Sequence, residues 1–297
     1  MSSLSRRILS FSTNPGLIVH ENWIRATSDF PAHGKHFSTQ EGKIEVDGIS
    51  LHYKETGNGP HTVLCLPGII GCIQFDFGPI LDKMDKDKFK IVCWDPPGQG
   101  KSRPPDRDFS NYFYRRDGNL VMKLMNKLGH DKFSILGWSN GGVTGLCMAA
   151  DYPTQIHKLV SWGAHSFPEE RALTFARMMG NLDLWSEKMK APVLEMYGEE
   201  YLLKMLKDWG DSVEELIRRT DHSDFMTGLS QIACPTLIIH GEDDPVLGVE
   251  HAEHLVQRVK NAKLHVMPNA KHNLHLKFTK EFLEVVEPFL LSSETEQ

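Results

Sequence analysis

No apolar run in this 297-residue chain approaches the roughly 20 residues of a membrane-spanning helix, so no span is expected. No cluster of Lys and Arg is dense enough to track phosphates, and the formal charge of −6 argues further against a nucleic-acid partner. Cysteine is scarce: Cys65, Cys72, Cys93, Cys147 and Cys234 are an odd number without zinc-ligand spacing. Lying in or beside apolar runs, they read as small core residues in a reducing compartment rather than as disulfides. No pair among the histidines has metal-ligand spacing, and no internal repeat or low-complexity segment occurs. What remains, 40% hydrophobic and 24% charged residues, describes a soluble globular protein with one large α/β core and room for one inserted subdomain. A monomer acting on a small molecule, without metal or organic cofactor, is the expectation.

The first 20 residues stand apart. They hold Arg6, Arg7, five serines and no acidic residue, with Leu4, Ile8 and Phe11 at helical spacing. That pattern fits a mitochondrial transit peptide, with a cytoplasmic protein carrying a disordered tail as the alternative. Residues 1–36 are expected to lie outside the fold.

Polarity alternates at 43–46 and 49–53 around Asp47-Gly48, a hairpin signal. Continuous apolar runs at 62–66, 91–94, 133–136, 159–162, 236–239 and 263–267 read as further strands, most of them buried on both faces. Helical stretches fall at about 77–84, 112–128, 143–150, 251–259 and 279–291. Strands alternating with helices predict an α/β fold: a mostly parallel, eight-stranded sheet with helices on both faces. The interval 166–231 lacks a strand and is rich in Met, Leu, Trp and charge at helical spacing. It reads as a helical lid between the two core segments, 37–165 and 232–297, over the strand ends where open α/β sheets bind ligands.

The densest chemical signal is Gly137-Trp138-Ser139-Asn140-Gly141-Gly142, between a strand-like run and a helix-like one. Gly-x-Ser-x-Gly in that setting is a nucleophile elbow, a turn too sharp for flanking Cβ atoms. A serine hydroxyl needs a base, and the base needs a third group to fix its tautomer. In such sheets the order along the chain is Ser, acid, His. Asp244 follows the strand at 236–239 and His272 the strand at 263–267, on the same sheet edge as Ser139. Asp243 is the alternative acid, disfavoured because Asp244 directly precedes Pro245; His275 is the alternative base, one helical turn beyond His272. The oxyanion donors are expected to be the backbone N–H groups of Asn140 and, from the loop Pro67-Gly68-Ile69-Ile70-Gly71, Ile70 with Ile69 close behind.

These motifs, with Leu66-Pro67-Gly68, Asp76-Phe77-Gly78-Pro79, Trp94-Asp95-Pro96, the stretch from Ser102 to Phe109 and His272-Asn273-Leu274-His275-Leu276, resemble the α/β-hydrolase family. Within it they are similar to the valacyclovir hydrolase-like serine hydrolases, from about residue 43 to residue 290. The resemblance implies the α/β-hydrolase fold, cleavage of α-amino acid esters and mitochondrial association. It assigns nucleophile, acid and base to Ser139, Asp244 and His272. Two positions depart from its pattern. Where those enzymes carry Asp after the nucleophile, the group thought to bind the substrate amine, this chain has Asn140, a neutral and weaker partner for a cation. Weaker amine preference or a shift toward neutral esters follows, unless a lid carboxylate such as Glu169, Glu170 or Glu199 compensates. Pro97 replaces a usual Arg and is expected to be structural. The alternatives are neutral ester, lactone or C–C hydrolysis on the same triad, or a non-catalytic binding protein on this scaffold.

Overall fold

The computed structural model describes residues 37–110, 113–220 and 226–293; the transit-peptide reading of the first residues lies outside them. Strands β1 (Thr39–Val46) and β2 (Ile49–Thr56) form the expected hairpin. Asp47 and Gly48 turn it with φ of 50° and 79°, the paired positive values that a two-residue hairpin turn requires. The other strands are β3 (His61–Leu66), β4 (Phe89–Trp94), β5 (Phe133–Trp138), β6 (Ile156–Trp162), β7 (Thr236–Gly241) and β8 (Ala262–Met267). One eight-stranded sheet results, in the order β1-β2-β4-β3-β5-β6-β7-β8. Pairing is antiparallel for β1 with β2 and β2 with β4, and parallel from β4 to β8.

The continuous apolar runs exist because both faces of this sheet are covered. Successive side chains of one strand enter different cores: Val63 and Cys65 one, Leu64 and Leu66 the other. Helices α3 (Phe113–Lys127), α4 (Asn140–Asp151) and α8 (Val249–Arg258) cover one face. Helices α2 (Gly78–Lys83), α9 (Leu274–Lys277) and α10 (Thr279–Leu291) cover the other. All five cysteines are free and buried. The helix expected at 77–84 is α2, and a further short helix, α1 (Ile73–Asp76), precedes it; the two stay separate because Pro79 cannot continue a helix but suits the first turn of a new one.

The interval after β6 holds α5 (Glu170–Met179), α6 (Glu187–Tyr197) and α7 (Glu199–Thr220). Their apolar sides, including Ala176, Met179, Met189, Leu202 and Leu206, join the core on the α3–α4 face. Two tyrosines tie this lid to the loops at the strand ends. The Tyr197 hydroxyl donates to the Ile70 carbonyl at 3.0 Å and accepts from the Gly100 N–H at 3.0 Å. The Tyr201 hydroxyl donates to the Gly98 carbonyl at 2.7 Å and accepts from the Arg107 N–H at 2.8 Å. Each hydroxyl therefore satisfies two backbone groups that the lid hides from water. Tyr197→Phe orphans both of its partners, and urea unfolding should show a loss of about 1–3 kcal/mol; an unchanged midpoint and slope would contradict this pinning.

Candidate active site

Strand β5 delivers the chain into the elbow. Ser139 has φ 53° and ψ −118°, a conformation L residues avoid, at a cost of about 1–3 kcal/mol. Its neighbours leave it no other path. A Cβ on Gly137 would lie 2.5 Å from the Gly141 carbonyl oxygen, and one on Gly141 would overlap the Leu66 carbonyl. The Ser139 N–H donates to the Trp162 carbonyl at 2.8 Å, extending the β5–β6 ladder past the strand end. Ser139 thus occupies the N-cap of α4 without capping it, and its hydroxyl is available elsewhere.

That hydroxyl meets His272. The His272 Nε2 lies 3.1 Å from Ser139 Oγ, and its Nδ1 lies 2.8 Å from Asp244 Oδ2. The other carboxylate oxygen accepts the backbone N–H groups of Val246 at 2.8 Å and Leu247 at 3.1 Å. Burial alone would raise the Asp244 pKa. The charge and hydrogen bond of His272, with the two N–H donors, outweigh it and hold the carboxyl below its ordinary value. An ionised Asp244 accepts from Nδ1–H, so Nε2 is the nitrogen free to take the serine proton. Gly163 leaves room for the ring, since a Cβ there would lie 2.9 Å from His272 Cε1. The lid reaches this loop too: Arg171 of α5 donates to the carbonyls of Asp244 at 3.3 Å and Pro245 at 3.1 Å.

The alternatives are placed elsewhere. Asp243 is exposed, and its N–H donates to the Ala270 carbonyl at 2.9 Å. His275 is wholly buried: its Nδ1 accepts from the Trp162 indole at 3.0 Å and its Nε2–H donates to the Asp76 carbonyl at 3.0 Å. Burial pushes its pKa down to about 3, so it is a neutral packing group behind the site.

Above the triad lies a cavity of about 810 Å³ between the sheet edge and the lid, lined by Ser139, His272, Ile69, Ile70, Gly71 and Asn140 among others. No described residue accepts a hydrogen bond from the backbone N–H of Ile69, Ile70 or Asn140, so donors remain on both sides of the serine. Phe109, Phe113, Phe167, Phe175, Met179 and Trp209 make much of the wall apolar. Glu169, Glu170 and Glu199 do not line it. Glu169 accepts from His251 Nε2 at 2.8 Å, while Glu170 and Glu199 face solvent on the lid's outside. The lining carboxylates are Asp108, Asp208, Asp211 and Glu215. Sequence reasoning also passed over His165, which lines the cavity and whose Nε2 lies 3.2 Å from the Tyr114 hydroxyl. Desolvation first, then neighbouring His251 and His272, push its pKa down to about 3. Its place three residues after β6, at the carboxyl edge of the sheet, was the available signal. Pro97 contributes its carbonyl, which accepts from Arg107 Nη1 at 3.3 Å. Among the described residues no group of three or more His, Cys, Asp or Glu could hold a metal ion, and no helix is long and apolar enough to cross a membrane.

Fold and triad geometry together define a class of enzyme. The chain belongs to the α/β hydrolase fold family, matched over residues 61–185 and 167–279, and is a hydrolase. More particularly, it is 43% identical over 248 residues to serine hydrolase BPHL of Mus musculus, covering 84% of this chain and 85% of that one. To serine hydrolase BPHL of Homo sapiens it is 41% identical over 287 residues, covering 97% and 96%. The solved 2-hydroxy-6-oxo-6-phenylhexa-2,4-dienoate hydrolase of Rhodococcus sp. strain RHA1 shares the fold, with a TM-score of 0.70 over 86% of this chain and all of that one at 17% identity.

Beneath the loop at 67–71 sits Asp76, fully buried, with Oδ2 accepting the Gly68 N–H at 2.8 Å. Burial raises its pKa to about 8, so it is neutral at pH 7. Between the ordinary carboxylate range near 4 and about pH 8 the folded chain holds this proton and the unfolded chain does not. Asp76 therefore makes stability fall as pH rises through that window. Asp76→Asn should flatten the slope of unfolding free energy against pH between 5 and 8, measured by urea titration; an unaltered slope would show that the carboxyl is ionised in the fold.

Proposed function

We propose that this hydrolase cleaves small carboxylic esters through an acyl-enzyme on Ser139. The observation that carries the reading is the unbroken relay Ser139–His272–Asp244, at 3.1 and 2.8 Å, opening into an apolar cavity. His272 takes the Ser139 proton as Oγ attacks the ester carbonyl. The resulting oxyanion is met by the N–H groups of Asn140 and Ile70, the former at the positive end of α4. His272 then protonates the departing alcohol, and in the second half-reaction draws a proton from water as it attacks the acyl-enzyme. Asp244 keeps Nδ1 protonated throughout and offsets the imidazolium charge. None of these steps calls on a metal or organic cofactor.

The resemblance to the valacyclovir hydrolase-like enzymes supports α-amino acid esters as the substrate class, with neutral esters, lactones or C–C bonds as the alternative on the same triad. Asn140, on the cavity wall, decides between a charged α-amine and a neutral substituent. Mitochondrial location, suggested by the basic, acid-free stretch at 1–20, and action as a monomer without nucleic acid complete the proposal.

Ser139→Ala should remain folded by circular dichroism and lose roughly 10⁴- to 10⁶-fold in kcat on small esters. Asp244→Asn should lose about 10⁴-fold, its effect confined mainly to kcat. Turnover retained by Ser139→Ala would sink the assignment. A wild type that cleaves lactones or C–C bonds but no ester would move the chemistry to another substrate on the same triad.

A further inference from the structure

Among the described residues seven buried side-chain polar atoms lack a hydrogen-bond partner, and four of them belong to residues lining one small cavity behind the elbow. They are Trp94 Nε1 at the end of β4, Arg107 Nε, Asp117 Oδ1 on α3 and Asn140 Nδ2 on α4. All four side chains are more than nine-tenths buried, with residue exposures of 1%, 6%, 3% and 7%. Arg107 and Asp117 form an ion pair at 2.6 Å through Nη2 and Oδ2, which leaves Nε and Oδ1 unmatched. Gln99 and Thr144 on the same wall already donate to backbone carbonyls. The cavity, of about 10 Å³, has room for one water molecule.

Counting donors fixes what that water can do. It accepts two hydrogen bonds and donates two. With Asn140 Nδ2 turned inward, the cavity holds three N–H donors and one acceptor, and one donor stays orphaned. The two ends of a carboxamide have nearly the same shape, so a half-turn disturbs no packing. With Oδ1 inward there are two donors, Trp94 and Arg107, and two acceptors, Asp117 and Asn140. The water then satisfies every group, and leaving a buried group unpaired costs more than any one bond gains.

Asn140 lines both this cavity and the catalytic one. We propose that Asn140 is a specificity-determining residue, held by a buried water shared with Trp94, Arg107 and Asp117 so that it shows substrate an N–H. The preferred substrates are then esters whose α-substituent accepts a hydrogen bond, such as α-hydroxy acid esters, and the protonated α-amine is disfavoured. This rests on the ester-hydrolase reading above. Trp94, Arg107 and Asp117 are positioning residues, acting through the water.

The test is kcat/KM for an isosteric pair, ethyl 3-phenyllactate and ethyl phenylalaninate, at about pH 6.5, where the free amine is protonated. The wild type should favour the phenyllactate ester by about tenfold, the scale of one hydrogen bond gained or lost. Asn140→Asp, acceptor-only when ionised, should reverse the preference. Trp94→Phe, which removes one inward donor and frees the amide to turn, should shrink the wild-type ratio severalfold. A wild type that prefers the amine overturns the proposed orientation, and an unchanged ratio in Trp94→Phe overturns the water-mediated hold. Hydrolysis of neither ester overturns the ester reading and this proposal with it, an outcome distinct from a mere reversal of preference.

Discussion

Everything in this site depends on one strained residue. Ser139 is forced to a positive φ because the chain must leave β5 and enter α4 within a single residue, over a surface where only glycine fits at Gly137 and Gly141. The cost, about 1–3 kcal/mol, is offset by the packing of a strand and helix that are buried almost throughout. In return the hydroxyl is withdrawn from helix capping, the Asn140 N–H is left without a partner among the described residues, and the positive end of the α4 dipole lies at the serine. A relaxed serine here would cap its own helix and blunt all three effects.

The rest of the machinery is arranged around that point by loops at the carboxyl ends of β3, β6, β7 and β8. A carboxylate as buried as Asp244 stays ionised only because His272 and two backbone N–H groups face it. Asp76, with one N–H donor and no cation, is pushed the opposite way. Two buried carboxyls of one fold thus differ in charge at neutral pH through their local donors and neighbouring charges. The lid reaches the same loops: Tyr197 at the loop at 67–71, Tyr201 at Gly98 and Arg107, Arg171 at the acid loop. Cavity shape and triad geometry are therefore coupled through hydrogen bonds to backbone, which side-chain identity alone does not reveal.

That distinction explains what could be read without coordinates. The sheet was legible because strands buried on both faces are continuous apolar runs, and the hairpin because Asp47-Gly48 has few other uses. Ser139, Asp244 and His272 were legible as a set because the fold orders them along the chain and places each after a strand. The four-residue helix α1 went unread because it is too short to show a period. The lid was legible only as helical. Which of its faces turns inward depends on packing that periodicity does not specify, so Glu169, Glu170 and Glu199 were considered for a wall they do not form. The buried cluster of Trp94, Arg107, Asp117 and Asn140 draws on residues far apart in sequence, and no local pattern announces it.

The central claim, that Ser139 is a nucleophile activated by His272, is tested most directly by intact-mass and peptide mapping after reaction with an active-site-directed phosphonate. The account predicts a single adduct per chain, on Ser139, formed much more slowly when His272 is replaced by alanine. No adduct, or one on another residue with Ser139 unmodified, would contradict it and leave this fold a scaffold without the chemistry its geometry describes.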